Sequence, residues 1–149
     1  MKPAKQYLDL MSELLKELAE IPNSVDVPVG ALVLDKNLEI IAKSFNNRVQ
    51  KNDPTAHAEI EAIRIAGQKL SNWRLDDCTL IVTLEPCQMC SGAILQSRIS
   101  RVVFGAFEPK TGFLVSKNSR SEITNIEIIS GVMEEESSKI LSNWFRDKR

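Results

Sequence analysis

Cysteine and histidine are scarce in this chain, with three of the first and one of the second in 149 residues. The cysteine count is odd, and two of the three are spaced as Cys87-Gln88-Met89-Cys90. That argues against a disulfide framework and for a reducing compartment, so a cytoplasmic location is expected. Also lacking is any apolar run near the ~20 residues of a membrane-spanning helix, and the N-terminus reads as an amphipathic helix instead of a cleavable signal. Neither sign of charge dominates: nineteen Lys and Arg stand against twenty Asp and Glu, a net charge of −1. Nucleic-acid binders usually carry a basic surface, so the total offers no argument for RNA, although a local patch can hide in a neutral balance. Internal repeats and low-complexity linkers are absent, and 43% apolar content suffices for one core. A single domain over 1–149 is expected.

What is present is a regular alternation of elements. Tyr7, Met11, Leu14, Leu18 and Ile21 recur at helical steps, and Pro22-Asn23-Ser24 ends that helix. Gly30–Leu34 and Leu38–Ala42 flank Asp35-Lys36-Asn37 and predict a β-hairpin. A loop through Asn46, Arg48 and Asn52 leads to a second helix starting at Asp53-Pro54-Thr55, with Ile60, Ile63, Gly67 and Leu70 on its apolar side. After a polar connector, 72–77, the run Thr79–Leu84 predicts a buried strand. Pro86 suits the first turn of a helix reaching about Ser97. Arg101–Gly105 and Ile126–Ile129 predict further strands, and a last helix from Met133 to Arg146 packs through Ile140, Leu141, Trp144 and Phe145. Helices alternating with buried strands predict an α/β fold, a mixed sheet with helices on both faces.

Two short stretches carry the chemistry: Thr55-Ala56-His57-Ala58-Glu59 and Leu84-Glu85-Pro86-Cys87-Gln88-Met89-Cys90. Zinc takes thiolate and imidazole ligands, and a catalytic zinc keeps three protein ligands and one position for water. Cys87 and Cys90 share one helix face, and His57 supplies a third ligand. Glu59 is read as a base beside the water and not as a ligand. A structural zinc clip needs a fourth ligand; only Cys78 remains, at the entrance to a buried strand, where a free cysteine acts as a small hydrophobe. A redox pair would leave His57 and Glu59 unexplained. Both motifs fall at predicted helix starts, which favours thiolate at Cys87 and Cys90 and leaves first-turn amides near Ala58 and Glu59 free for substrate or water.

His-x-Glu followed by Pro-Cys-x-x-Cys is the signature of the zinc nucleobase deaminases. Asp53 through Ile60, Val82 through Cys87, Ser97-Arg98-Ile99 and Val102 through Ala106 extend the match, and most of the chain resembles the TadA-type tRNA adenosine deaminases. The resemblance implies a three-layer α/β/α sandwich of the cytidine deaminase kind and one Zn²⁺ per subunit. It further implies a homodimer, and conversion of the wobble adenosine in the tRNA anticodon arm to inosine. Glu59 would then pass a proton from water to a ring nitrogen as ammonia leaves. Asn46 is open between turn chemistry in Asn46-Asn47 and function; the resemblance implies that it holds the target base. Glu85 is read as structural, and Arg98 as capping a helix end. After Ala106 the family usually continues with Arg-Asp or a similar pair and then a small, Gly-containing turn. This chain instead reads Phe107-Glu108-Pro109-Lys110-Thr111-Gly112-Phe113-Leu114-Val115-Ser116, and the stretch to Ile126 is shorter.

A deaminase of free bases or nucleosides, guanine or cytosine type, would share the zinc chemistry. Thr83-Leu84-Glu85 before Pro86 resembles the tRNA enzymes, whereas guanine deaminases typically have Ser-Cys-Glu. A non-catalytic binding module would be expected to lack Glu59. Basic residues available for RNA are Arg48 and Lys51, then Lys110, Lys117 and Arg120, and at the end Arg146, Lys148 and Arg149.

Overall fold

In the computed structural model, residues 4–21, 25–117 and 125–148 are described. The order is α1 (Lys5–Ala19), β1 (Gly30–Leu34), β2 (Ile40–Phe45), α2 (Arg48–Lys51), α3 (Ala58–Leu70), β3 (Thr79–Leu84), α4 (Gln88–Gln96), β4 (Arg101–Ala106), β5 (Glu127–Ile129) and α5 (Glu134–Asp147). The strands form one sheet in the order β2-β1-β3-β4-β5. β1 is antiparallel to β2 and β3, whereas β3, β4 and β5 run parallel.

Alternation along the central strands divides the core into two layers, because successive side chains point to opposite faces. Leu32, Leu34, Ile81 and Val103 meet Tyr7, Met11, Leu14 and Leu18 of α1 and Ile140 of α5. Ala31, Val33, Leu80, Val82, Val102 and Phe104 meet Ala58, Ala62 and Ala66 of α3 and Ile94 of α4. The expected three-layer α/β/α sandwich is what the chain forms. One consequence of the topology positions the site. β2 is antiparallel to β1 and β1 to β3, so β2, β3 and β4 point the same way and their carboxyl ends share one edge.

Several sequence expectations shift. β2 begins at Ile40 and not Leu38, because the Asp35 carboxylate accepts the Asn37 and Glu39 amides at 2.8 and 3.0 Å and extends the turn, with Leu38 at φ 63°. The second long helix does not start at Asp53: that side chain closes a separate turn on the Thr55 amide and hydroxyl, and α3 starts at Ala58. Its buried stripe is Ala58, Ala62 and Ala66, and Leu70 is exposed. Small side chains let α3 lie close on β1 and β2. Ile21 lies past the end of α1 and is exposed, and the helix-ending Pro22-Asn23-Ser24 lies outside the described residues. Pro86 stands before α4, its carbonyl accepting the Phe113 amide at 2.9 Å. On α5, Ile140 and Leu141 pack as expected but Phe145 is exposed. Cys78 is a core residue at 1% exposure, and the Arg98 guanidinium caps α4 through the Leu95 carbonyl at 3.1 Å.

α5 reaches the sheet at Gly105. A Cβ there would lie 2.7 Å from the Thr83 carbonyl oxygen and collide with the buried Ser137 hydroxyl. Gly105→Ala is therefore expected to destabilise the fold by about 1–3 kcal/mol, the usual effect of overpacking. The urea midpoint measures this, and an unchanged midpoint would mean that α5 does not press on β4.

Candidate active site

Each metal-ligand motif is delivered by a helix start. His57 is the residue before α3 and Cys87 the residue before α4, and neither side chain caps its own helix. Cys90 lies in the first turn of α4 and is fully buried. The His57 Nδ1 lies 3.7 Å from Cys87 Sγ and 3.4 Å from Cys90 Sγ. Zinc–sulfur bonds of ~2.3 Å and zinc–nitrogen bonds of ~2.0–2.1 Å at a tetrahedral angle put sulfur and nitrogen about 3.5 Å apart. The two separations bracket that value, so these three residues fit one zinc. Among the described residues this is the one such cluster, and Glu59 is not part of it.

The electrostatics fit the same reading. Cys90 beside it lowers the Cys87 thiol to about 4, and the same hydrogen bond, with burial, pushes Cys90 far up. Cys87 also holds the His57 imidazole above its usual range, against the effect of burial. A divalent cation resolves this crowding by taking two thiolates and a neutral imidazole. Glu59 is 4% exposed, and burial holds its carboxyl above the usual carboxylate range. Burial of this kind favours the protonated form relative to an exposed carboxyl.

These residues face a cavity of about 360 Å³ at the shared strand edge. The end of β2 is followed by Asn46, β3 contributes Leu84 with Glu85 just after it, and β4 contributes Ala106 with Phe107 and Glu108 just after it. The fourth side is Ser138, Leu141, Ser142 and Phe145 of α5, which sequence reasoning assigned no place in the site. Their i, i+3, i+4, i+7 spacing is a helix face and was the available signal. Arg48 also lines the cavity. Asn46 Oδ1 accepts the Ala58 amide at 2.9 Å, so the Ala58 N–H expected to be free is already bonded. That bond fixes the amide orientation and leaves Asn46 Nδ2 without a partner among the described residues.

A sheet of this order, with a His/Cys/Cys trio at its carboxyl edge and a buried glutamate beside it, defines a zinc-dependent deaminase. The family model for the cytidine and deoxycytidylate deaminase zinc-binding region matches residues 4–106. The tRNA-specific adenosine deaminase of Haemophilus influenzae is 41% identical over 99% of this chain and 88% of its own length. That of Bacillus subtilis is 44% identical over 93% of this chain and 88% of its own. A structure from a study of A-to-I editing by tRNA:A34 deaminases at the wobble position of transfer RNA is 37% identical, with a TM-score of 0.80. It covers 93% of this chain and 100% of the other. The guanine deaminase from Nitrosomonas europaea, at 22% identity and a TM-score of 0.76, shares the fold. The chain belongs to the tRNA-specific adenosine deaminases, within the cytidine and deoxycytidylate deaminase family.

Cys87→Ala or Cys90→Ala is expected to lose zinc and destabilise the fold. Glu59→Ala should keep near-stoichiometric zinc while turnover falls by at least the ~10²–10⁴ of a general acid–base group. Metal analysis of the purified variants separates these roles, and zinc loss in Glu59→Ala would make that residue a ligand.

Proposed function

We propose that this chain hydrolyses the wobble adenosine of tRNA to inosine, binding the anticodon arm and acting as a cytoplasmic homodimer. The observation that carries the chemistry is the buried Glu59 carboxyl beside the His57, Cys87 and Cys90 trio, in a cavity at the small end of the usual ~300–1,000 Å³ range for ligand sites. His57, Cys87 and Cys90 would hold the zinc, which when bound lowers the pKa of a water toward ~7. Glu59 would accept a proton from water in the cavity and deliver it to the ring nitrogen next to the amino-bearing carbon. The water oxygen would end on that carbon, the water's second proton would pass to the amino group, and that group would leave as ammonia. Asn46 offers Nδ2 to the base while its Oδ1 holds the first turn of α3. Phe145, exposed at the cavity mouth, is placed to stack on a base adjoining the one in the site.

The homodimer rests on family membership, with exposed Ile65, Leu70 and Trp73 near the end of α3 as apolar surface that a second copy would cover. No helix among the described residues is long and apolar enough to cross a membrane. The basic residues divide in their availability. Lys51 is engaged by Glu61 at 3.0 Å, whereas Arg146 and Lys148 are exposed beyond the cavity. Arg120 and Arg149 lie outside the described residues.

Asn46 can be tested in two steps. Asn46→Ala removes both the acceptor for the Ala58 amide and the Nδ2 donor, so it should lose stability by about 0.5–2 kcal/mol, like other lost helix caps. Asn46→Asp keeps the acceptor; its melting temperature should stay near wild type while kcat/KM falls roughly tenfold or more, the loss of one hydrogen bond to a base. Normal kinetics in Asn46→Asp would leave the capping role alone.

Substrate choice is tested by ammonia release from an anticodon stem-loop against free adenosine and free guanine, expected only from the RNA. Reversing Arg146 and Lys148 to Glu should weaken RNA binding and flatten its salt dependence, since each lost phosphate contact removes ~0.7–0.9 from the logarithmic slope. Zinc content should not change. Equal turnover of the free bases and the stem-loop, with no salt effect on either, would sink the tRNA assignment.

A further inference from the structure

Glu85 is a buried carboxylate that the reaction does not use. It is 3% exposed, and among the described residues it forms no ion pair. A buried charge is tolerated only if its lone pairs are satisfied. Every donor that satisfies this one comes from a single loop. The Glu108 amide donates to Oε1 at 3.1 Å, and the Val115 and Ser116 amides donate to Oε2 at 2.8 Å each. The Ser116 hydroxyl also donates to Oε1.

The loop depends on the carboxylate in return. Between β4 and Lys117 it contains no named helix or strand. Among the described residues its backbone bonds outside the carboxylate include the Gly112 amide to the Glu108 carbonyl at 2.8 Å and the Phe113 amide to the Pro86 carbonyl at 2.9 Å. Gly112 is pressed so closely that a Cβ would collide with the Glu85 carboxylate and the Glu108 carbonyl. Hydrogen bonds to an ionised acceptor are roughly twice as strong as neutral ones, so a chain wrapped on one carboxylate is held mainly there. The same loop presents Phe107, Glu108 and Thr111 to the cavity that contains His57, Glu59 and Cys87. The metal-ligand helix has independent support, with the Ser91 amide donating to the Cys87 carbonyl at 2.9 Å and Cys90 buried in the core.

We infer that Glu85 is a positioning residue for substrate: through four hydrogen bonds it fixes the Phe107–Ser116 loop as one wall of the active-site cavity, without touching the reacting atoms. It acts on binding and not on the chemical step. The inference uses the tRNA reading above for its substrate, but its first readout needs no substrate.

Two variants of the zinc-loaded chain test it. Glu85→Gln puts an NH₂ where loop donors need an acceptor, and Gly112→Ala pushes the loop away while leaving Glu85 intact. In both, exchange of the Val115 and Ser116 amides with deuterated water should accelerate. KM for the anticodon stem-loop should rise roughly 10- to 100-fold, the scale on which a misplaced wall is felt, with kcat within about threefold and zinc unchanged. Ser116→Ala, which removes one of the four bonds, should show a smaller shift in the same direction. Unchanged amide exchange in both variants would overturn the inference, whatever the enzyme's substrate. So would faster exchange with an unchanged KM, or a loss of kcat together with zinc, which would assign Glu85 to the metal centre. If Glu85→Gln does not fold, the same outcomes are read from Gly112→Ala alone. A wild-type chain inactive on the stem-loop would count against the tRNA reading, while the exchange data would still decide the role of Glu85.

Discussion

A residue whose side chain is turned to a metal cannot also cap the helix that it begins. That constraint shapes the whole carboxyl edge of the sheet. His57 and Cys87 stand at the starts of α3 and α4, and neither bonds its own first turn. The positive ends of both helices are thereby aimed at one cluster, where they favour thiolate sulfur. The first-turn donors still need partners. For α3 the partner is imported: Asn46, at the end of β2, caps the Ala58 amide from another part of the chain. The arrangement works only because β2, β3 and β4 point the same way, so that the segments after each of them converge. In open α/β sheets this carboxyl edge is where ligands bind.

Two buried glutamates line the cavity at that edge, and their surroundings differ. Glu59 lies among sulfur, imidazole and apolar side chains, and burial raises its affinity for a proton. It can therefore take one up and release it. Glu85 is just as buried, but three amides and a hydroxyl occupy its oxygens. No lone pair is left for chemistry, and the group becomes the fixed point of a loop. Burial alone does not make a carboxyl catalytic; the number of donors facing it decides.

What could be read in the sequence was what depends on short spacing. His57, Cys87 and Cys90 stand in motifs a few residues long, and the structure gathers them within 4.8 Å. Strand β3 was legible to the residue because Thr79–Leu84 is apolar on both faces. The start of α3 was not, because Asp53 satisfies its cap-like preference in a separate turn before the helix. Its packing face was legible in part: Ile63 packs against the core, but the close approach to β1 and β2 also selects Ala62 and Ala66. The cavity face of α5 and the partners of Glu85 stayed hidden for a common reason. Both rest on contacts between segments far apart in the chain, with Glu85 reaching residues 23 to 31 positions away. The break from the family pattern after Ala106 was visible in the sequence, but its anchor was not.

The shared fold leaves the substrate undecided. A guanine deaminase has the same architecture at 22% identity, and function resides in the site a fold carries. In this chain the loop held by Glu85 and one face of α5 form two walls of the cavity. α5 carries charge of both signs within a chain whose net charge is −1. Its first turn holds Glu134, Glu135 and Glu136, whereas Arg146 lies in its last turn and Lys148 follows over the Trp144 ring at 5.6 Å. This order suits the helix dipole at both ends. It also places Glu134, Glu135 and Glu136 far from Phe145, with Arg146 and Lys148 near it on either side of Asp147. An enzyme that grips a nucleic acid around one extruded base needs its positive charge at the cavity mouth and gains nothing from spreading it over the surface.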